Sequence, residues 1–299
     1  MAQPLILTLA CPDRPGITAR VTGFLFERGC NILDAQQFND RAAAGGTDRF
    51  FMRVVFDPDG STADGLRADF AALAGEFAME WKMAAEDRPR RTIILVSKFD
   101  HCLVDLLYRC RTGELPIEVV GIVSNHPRDA AIRVDIGDIP FHHIKVTKEN
   151  KPEAEAKLLS VVEESGADLV VLARYMQILS DALCQKMSGR IINIHHSFLP
   201  SFKGANPYKQ AYERGVKLIG ATAHYVTADL DEGPIIEQDT VRITHAQSAD
   251  DYVSLGRDVE AQVLSRAIHA HIHHRVFQNG NKTVVFPASP GSYASERLG

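Results

Sequence analysis

The sequence predicts an α/β protein in two parts: a ferredoxin-like βαββαβ unit over residues 1–87, then a Rossmann-like, mostly parallel, doubly wound sheet over 88–299. Three observations carry this reading. Apolar patterns of strand and helix period follow one another in the order βαββαβ as far as Met79–Ala84. From Thr92 to Ile194, nearly all-apolar runs alternate with helical stretches, the mark of parallel strands covered on both faces. Between the two lies Asp87-Arg88-Pro89-Arg90-Arg91, a charged, Pro-broken linker.

In the first part, Leu5, Leu7 and Leu9 alternate as a half-buried strand. Ile17, Val21, Phe24 and Leu25 fall at helical spacing, and Gly29 stops that helix. Asn31–Phe38 and Arg49–Asp57 read as strands joined by the Gly-containing loop Ala42–Thr47. Leu66, Phe70, Leu73 and Phe77 mark a second helix, and Met79–Ala84 a fourth strand. The turn Asp13-Arg14-Pro15-Gly16-Ile17 puts Pro at a helix entrance, beside a Gly whose backbone admits close approach.

In the second part, strands are expected at Thr92–Ser97, Ile117–Val123, Pro140–Ile144, Asp168–Leu172 and Arg190–Ile194. Helices are expected over Leu103, Leu106 and Leu107 to about Gly113, over Lys151–Glu164 stopped by Gly166, and over Asp181–Met187. A further apolar run, Leu218–Val226, precedes the polar segment Thr227–Gly233. Asp250–His274 reads as a long helix, Thr283–Phe286 as an edge strand and Pro290–Gly299 as a polar end.

The 299 residues carry a net charge of −5, which leaves no basic surplus to neutralise phosphates and argues against nucleic-acid binding. A small-molecule partner is expected instead. No apolar run approaches the ~20 residues of a membrane helix, and no signal-type segment opens the chain, so a cytoplasmic protein without membrane contact is expected. The five cysteines are odd in number and form no C-x-x-C pair, which points to reduced thiols rather than disulfides or zinc.

The chemistry gathers in residues 190–239. Asn193 and His195 lie on one side of an extended strand end, because side chains alternate with period two. An amide suits a carbonyl oxygen gaining negative charge, and an imidazole moves protons near neutral pH. A carboxylate such as Asp231, at the end of the next apolar run, holds a water or favours the charged imidazole. With no G-x-S-x-G elbow, direct attack by water is the simpler acyl chemistry. No metal is expected: the adjacent pairs His142-His143 and His195-His196 point to opposite faces, and His269 and His273 suit a helix C-terminus.

The D-R-P-G-I turn with Gly29-Cys30-Asn31-Ile32 resembles the ACT domain. That resemblance implies an amino-acid effector near Asp13, Gly16 and Asn31, and pairing of copies into a homo-oligomer. The strings N-I-H-x-S-x-L-P-x-x-x-G from Asn193 and G-A-T-x-H-x-V-x-x-x-L-D-x-G-P-I-I from Gly220 resemble the formyltransferase family that handles 10-formyltetrahydrofolate. The resemblance implies that Asn193, His195 and Asp231 form the catalytic triad. It implies a folate loop of Arg174, Tyr175, Met176, Gln177, Ile178 and Leu179, with backbone groups of Gln177 to Leu179 on the pterin. Val226–Asp231, including Val226 and Asp229, would close the other side. Folate is then the substrate and no further cofactor is implied.

Within that family, amine-acceptor members carry a Gly-rich phosphate turn after the first strand. Here Ser97-Lys98-Phe99-Asp100-His101-Cys102 contains no Gly and adds a carboxylate, and Ser201–Tyr208 also departs from the acceptor loop. With the ACT-like unit in front, the chain is similar to the deformylating branch. There water takes the formyl group, releasing formate for purine synthesis and balancing one-carbon folate pools. His196 and Lys203 lie nearby in sequence without an assigned role. The alternatives are formyl transfer to an amine and a non-catalytic folate or amino-acid sensor.

Overall fold

The computed structural model describes residues 3–41, 46–86, 88–200 and 207–288. Residues 42–45 of the expected hairpin loop, Asp87 of the linker, residues 201–206 with Lys203, and the tail from Pro290 lie outside the described residues.

The first unit comprises β1 (Leu5–Pro12), α1 (Ile17–Glu27), β2 (Asn31–Asp40), β3 (Arg49–Asp57), α2 (Ala63–Glu76) and β4 (Glu80–Ala85). Its sheet runs β2-β3-β1-β4, antiparallel throughout, as the βαββαβ order requires. Ile17, Val21, Phe24 and Leu25 form the buried stripe of α1. Gly29, at φ 73, ends that helix in a Schellman turn: its N–H bonds the Phe26 carbonyl at 3.0 Å, and the Cys30 N–H bonds that of Leu25 at 3.0 Å. Phe70 of α2 packs edge-on against Phe24 and Trp81, and its complete burial is worth roughly 1.5–3 kcal/mol.

Two features of this unit differ from expectation. Strand β1 is buried on both faces, not one: Leu5, Leu7, Leu9 and Cys11 meet the helices, while Ala10 meets Phe51 and Phe286. The reason is that residues 273–277 and 284–288 group with this unit, so the expected second part, 88–299, is interrupted near its end. Phe277 and Phe286 pack against each other, and Phe277 against Phe51. Buried Arg53 donates through Nε to the His273 carbonyl at 3.1 Å and pairs with Asp34 at 3.0 Å.

The second unit contains β5 (Arg90–Val96), α3 (His101–Thr112), β6 (Ile117–Ser124), α4 (Arg128–Ala131), β7 (Phe141–His143), α5 (Lys151–Glu164) and β8 (Leu169–Leu172). It continues with α6 (Asp181–Lys186), β9 (Ile191–His195), α7 (Pro207–Arg214), β10 (Leu218–Tyr225), β11 (Ile235–Arg242) and α8 (Ala249–Ile272). The hairpin β12 (Val276–Asn279) and β13 (Lys282–Val285) follows, with residues 278–283 in this unit and its ends in the first. The seven-stranded sheet runs β11-β10-β9-β8-β5-β6-β7. β7, β6, β5, β8 and β9 are parallel, and β10 is antiparallel to both neighbours. The chain builds outward from β5 to β7 and then resumes on its other side at β8, so a ligand crevice opens beyond the carboxyl ends of β5 and β8.

Candidate active site

That crevice is where the expected residues collect. After β8, Arg174 takes φ 67, a left-handed conformation costly for a side-chain-bearing residue, and the chain turns out through Met176 and Ile178 toward α6. Ser97, at the end of β5, anchors the loop: its buried hydroxyl accepts the Met176 N–H at 3.0 Å and donates to Asn125 at 2.6 Å. At the far end, Ser180 caps α6 by accepting the Leu183 N–H, and Glu155 accepts its own N–H at 2.7 Å. The Tyr175 hydroxyl is pushed up to about 12 by burial, with Glu155 adding to the effect, so the phenol stays neutral.

Strand β9 delivers Asn193 and His195. Strand β10 is antiparallel to β9, and its last residue, Tyr225, pairs with Ile192 near the start of β9. The polar segment after β10 must therefore double back to reach His195. It does so in a tight turn, with Asp231 at φ 56 and the Tyr225 N–H bonded to the Pro234 carbonyl at 3.0 Å. Gly233 permits the reversal: a Cβ there would lie 1.7 Å from the Tyr225 carbonyl oxygen.

The result is a compact polar cluster. Asp231 Oδ2 lies 3.2 Å from His195 Nδ1, and Oδ1 lies 3.7 Å from His224 Nε2. Burial alone would raise the Asp231 carboxyl, but hydrogen bonds with His195 and His224 outweigh it and hold the group well below the usual carboxylate range. His195 Nε2 is buried with no hydrogen-bond partner among the described residues. His224 is the residue sequence reasoning missed. Its Nδ1 sits 2.8 Å from the Tyr225 carbonyl and its Nε2 3.2 Å from Asn193 Nδ2. It stood in plain view in the G-A-T-x-H string, and the antiparallel register of β10 against β9 puts it opposite Asn193.

This cluster lies at a cavity of about 370 Å³. Arg174, Met176, Gln177, Ile178 and Leu179 line one side, and Val226, Asp229 and Leu230 the other, so the expected folate residues and Asn193, His195 and Asp231 share one space. Met176, Ile178 and Leu230 are exposed, which gives the cavity an apolar rim suited to a flat aromatic ligand. His196 lines it too; burial, with Arg174 adding to it, pushes the imidazole down to about 3, so it is neutral at physiological pH.

Other expected sites fare differently. His101, Cys102 and Glu260 offer three ligand atoms within 4.8 Å of one another, a grouping absent from the sequence reading. The arrangement favours hydrogen bonds and an ion pair over a metal: Glu260 meets His101 and Tyr208 by hydrogen bonds and Arg174 by charge, and burial raises the Cys102 thiol well above its ordinary range. In the first unit, Gly16 caps α1 at φ 94, and Asp13 accepts a hydrogen bond from Asn39 beside it. Asn31 opens β2 at the opposite end of the sheet, paired with Asp57, whereas Asp40 and Arg49 mark the Asp13 end. The eight residues of β1 span roughly 26 Å between these ends. The expected cluster of Asp13, Gly16 and Asn31 therefore does not form within one chain.

The turn Ser97–Cys102 is also engaged internally, with Asp100 accepting the Arg133 N–H at 2.8 Å. Among the described residues, no helix is long and apolar enough to cross a membrane.

Comparison with known proteins follows the same division. The ACT domain family matches residues 6–64 and the formyl transferase family residues 90–268. A solved glycinamide ribonucleotide transformylase from Symbiobacterium toebii superposes with a TM-score of 0.60 at 28% identity, covering 68% of this chain and 97% of its own. A solved formyltetrahydrofolate deformylase from Pseudomonas syringae pv. tomato superposes with a TM-score of 0.90 at 44% identity, covering 96% of this chain and 95% of that one. A Corynebacterium formyltetrahydrofolate deformylase is 50% identical over 282 residues, which is 94% of this chain and 97% of the relative. Likeness that runs through both the ACT domain and the formyltransferase fold, at this identity and coverage, makes the chain a member of the formyltetrahydrofolate deformylase family.

Proposed function

We propose that this chain hydrolyses 10-formyltetrahydrofolate to formate and tetrahydrofolate, with Asn193, His195 and Asp231 as the reacting constellation. The observation that carries the reading is the meeting of all three, within one cavity, with the loop Arg174–Leu179. The pterin lies against that loop, with backbone groups of Gln177 to Leu179 on its edge and Val226 and Asp229 opposite. The Asn193 amide and the His195 ring stabilise the oxygen that becomes negative when water attacks the formyl carbon. Asp231 orients the water, takes up the proton it loses as the C–O bond forms, and supports the charge on His195. When the tetrahedral intermediate collapses, the C–N10 bond breaks and N10 takes a proton, delivered by His195 or through water. The water oxygen leaves in formate.

Water is the acceptor because the Ser97–Cys102 turn offers no Gly-rich phosphate cradle and its carboxylate is already bonded to the Arg133 N–H. The test is incubation with 10-formyltetrahydrofolate and no amine. Formate and tetrahydrofolate released together in multiple turnovers support hydrolysis; turnover only on adding an amine overturns it.

The same proposal includes an ACT domain that binds an amino-acid effector between copies of a cytoplasmic homo-oligomer, and formate directed to purine synthesis. The separation of Gly16 from Asn31 within one chain supports an effector site shared by two copies.

A further inference from the structure

Beside the folate cavity lies a second, smaller one of about 170 Å³. Arg174 and His196 line both, so the two adjoin at the reacting centre. Glu260 organises the second cavity from the buried face of α8, where it is 1% exposed. His101 Nε2 lies 2.9 Å from one carboxylate oxygen, Arg174 Nε lies 3.2 Å from the same oxygen, and the Tyr208 hydroxyl donates to the other at 2.5 Å. Gly256, one turn earlier on α8, makes this possible, because a Cβ there would fall 2.2 Å from the Tyr208 ring.

The small cavity is cationic. Arg174, Arg257 and Lys209 line it against the single carboxylate of Glu260. The Arg174 side chain is only 10% exposed, and its Nη1 is buried without a hydrogen-bond partner among the described residues. A buried guanidinium with donors unused is costly to maintain unless an acceptor completes it. The cavity is too small for a nucleotide-like acceptor, which calls for roughly 300 Å³ or more, yet it accommodates an anion of three heavy atoms.

We propose that this cavity is a monocarboxylate subsite that receives formate, with Arg174 as the cation that binds it. The inference rests on the hydrolytic reading above. That reaction consumes water and yields tetrahydrofolate, formate and a proton; formate is the only anion the chemistry creates at the reacting carbon. A guanidinium offers a carboxylate parallel N–H donors, so charge and geometry are matched together. Acetate and bicarbonate share the chemistry, but formate is the one released at the adjoining reacting centre.

The test is calorimetric titration of the folate-free protein with sodium formate, with acetate and chloride in parallel, combined with product-inhibition kinetics. Formate is expected to bind ahead of acetate and chloride and to inhibit turnover. Arg174→Gln and, separately, Arg257→Gln are expected to weaken formate binding tenfold or more, with Arg174→Lys in between. Equal formate affinity in wild type and both Gln variants, or chloride and acetate binding as well as formate, overturns the assignment. Formate release from 10-formyltetrahydrofolate is measured on the same wild-type preparation. Release without formate inhibition removes the subsite alone, whereas absence of release removes the hydrolytic reading.

Discussion

His224 Nε2 lies 3.2 Å from the Asn193 amide nitrogen, while His224 Nδ1 lies 2.8 Å from the Tyr225 carbonyl oxygen. The carbonyl accepts only, so Nδ1 carries the proton, and Nε2 faces both the Asn193 amide and Asp231 Oδ1, 3.7 Å away. His224 thereby braces the Asn193 side chain where it lines the cavity. His224→Ala is expected to lower kcat about tenfold with little change in KM, through loss of amide orientation. Asn193→Ala, which removes the donor itself, is expected to cost roughly 10²–10³-fold. Steady-state kinetics of the two variants and their double mutant check this: independent, multiplicative losses exclude the coupling.

Replacing Asp231 by Asn keeps the shape of the turn and removes the charge facing His195. Formate release is expected to fall by roughly 10²–10⁴-fold, the range for a lost proton-transfer or water-orienting group. Folate binding, followed by fluorescence quenching, is expected to stay close to wild type because Asn has the shape of Asp and the loop Arg174–Leu179 is untouched. Near-normal turnover in Asp231→Asn would remove the water-orienting role.

Gly233→Ala is expected to be damaging although it adds one methyl group. A Cβ at that position meets the Tyr225 carbonyl at 1.7 Å, and the obstructing atom is backbone. The turn carrying Asp231 must shift, at a cost of about 1–3 kcal/mol and with loss of most activity. Denaturant unfolding and turnover measured together check this; a fully active, equally stable variant contradicts the described turn.

The pH dependence of stability is expected to carry a signature of His196. Its folded pKa, pushed down to about 3, lies below an unfolded value near 6.5, so the unfolded chain takes up the proton first. The corresponding stability is complete above about pH 6.5 and is lost as pH falls toward 3. One such proton gives a slope of at most about 1.4 kcal/mol per pH unit. Urea unfolding between pH 7.5 and 5 should show a shallower fall in His196→Asn than in wild type, and parallel curves would refute the assignment.

Much of the fold was legible because local rules and tertiary outcome agree. Gly29, Gly113 and Gly166 stop their helices where the apolar periodicity ends, and all three take positive φ. The run Ile191–His195 became a strand in the parallel part of the sheet. β11 was not legible: Ile235–Arg242 turns polar after two residues, and what makes it a strand is pairing with β10 from the sheet edge. The second buried face of β1 was equally hidden, since the residues that cover it lie more than 260 positions away in sequence.

For the candidate site, the sequence by itself determined the inventory: Asn193, His195 and Asp231, with the loop Arg174–Leu179, in strings specific enough to mark a formyl-folate chemistry. Only the tertiary structure decided how they meet. An apolar run has no direction in a sheet, so nothing in Leu218–Val226 reveals that β10 runs antiparallel and that Asp231 must return through a strained turn. Nor does it reveal that His224 orients Asn193, because partners across two strands are set by register. Glu260 shows the limit most plainly. On α8 it shares a face with Gly256, Leu264 and Ala267, so a carboxylate on an apolar stripe was the available signal. Its three partners come from three distant segments, and burial makes their pairing with it obligatory.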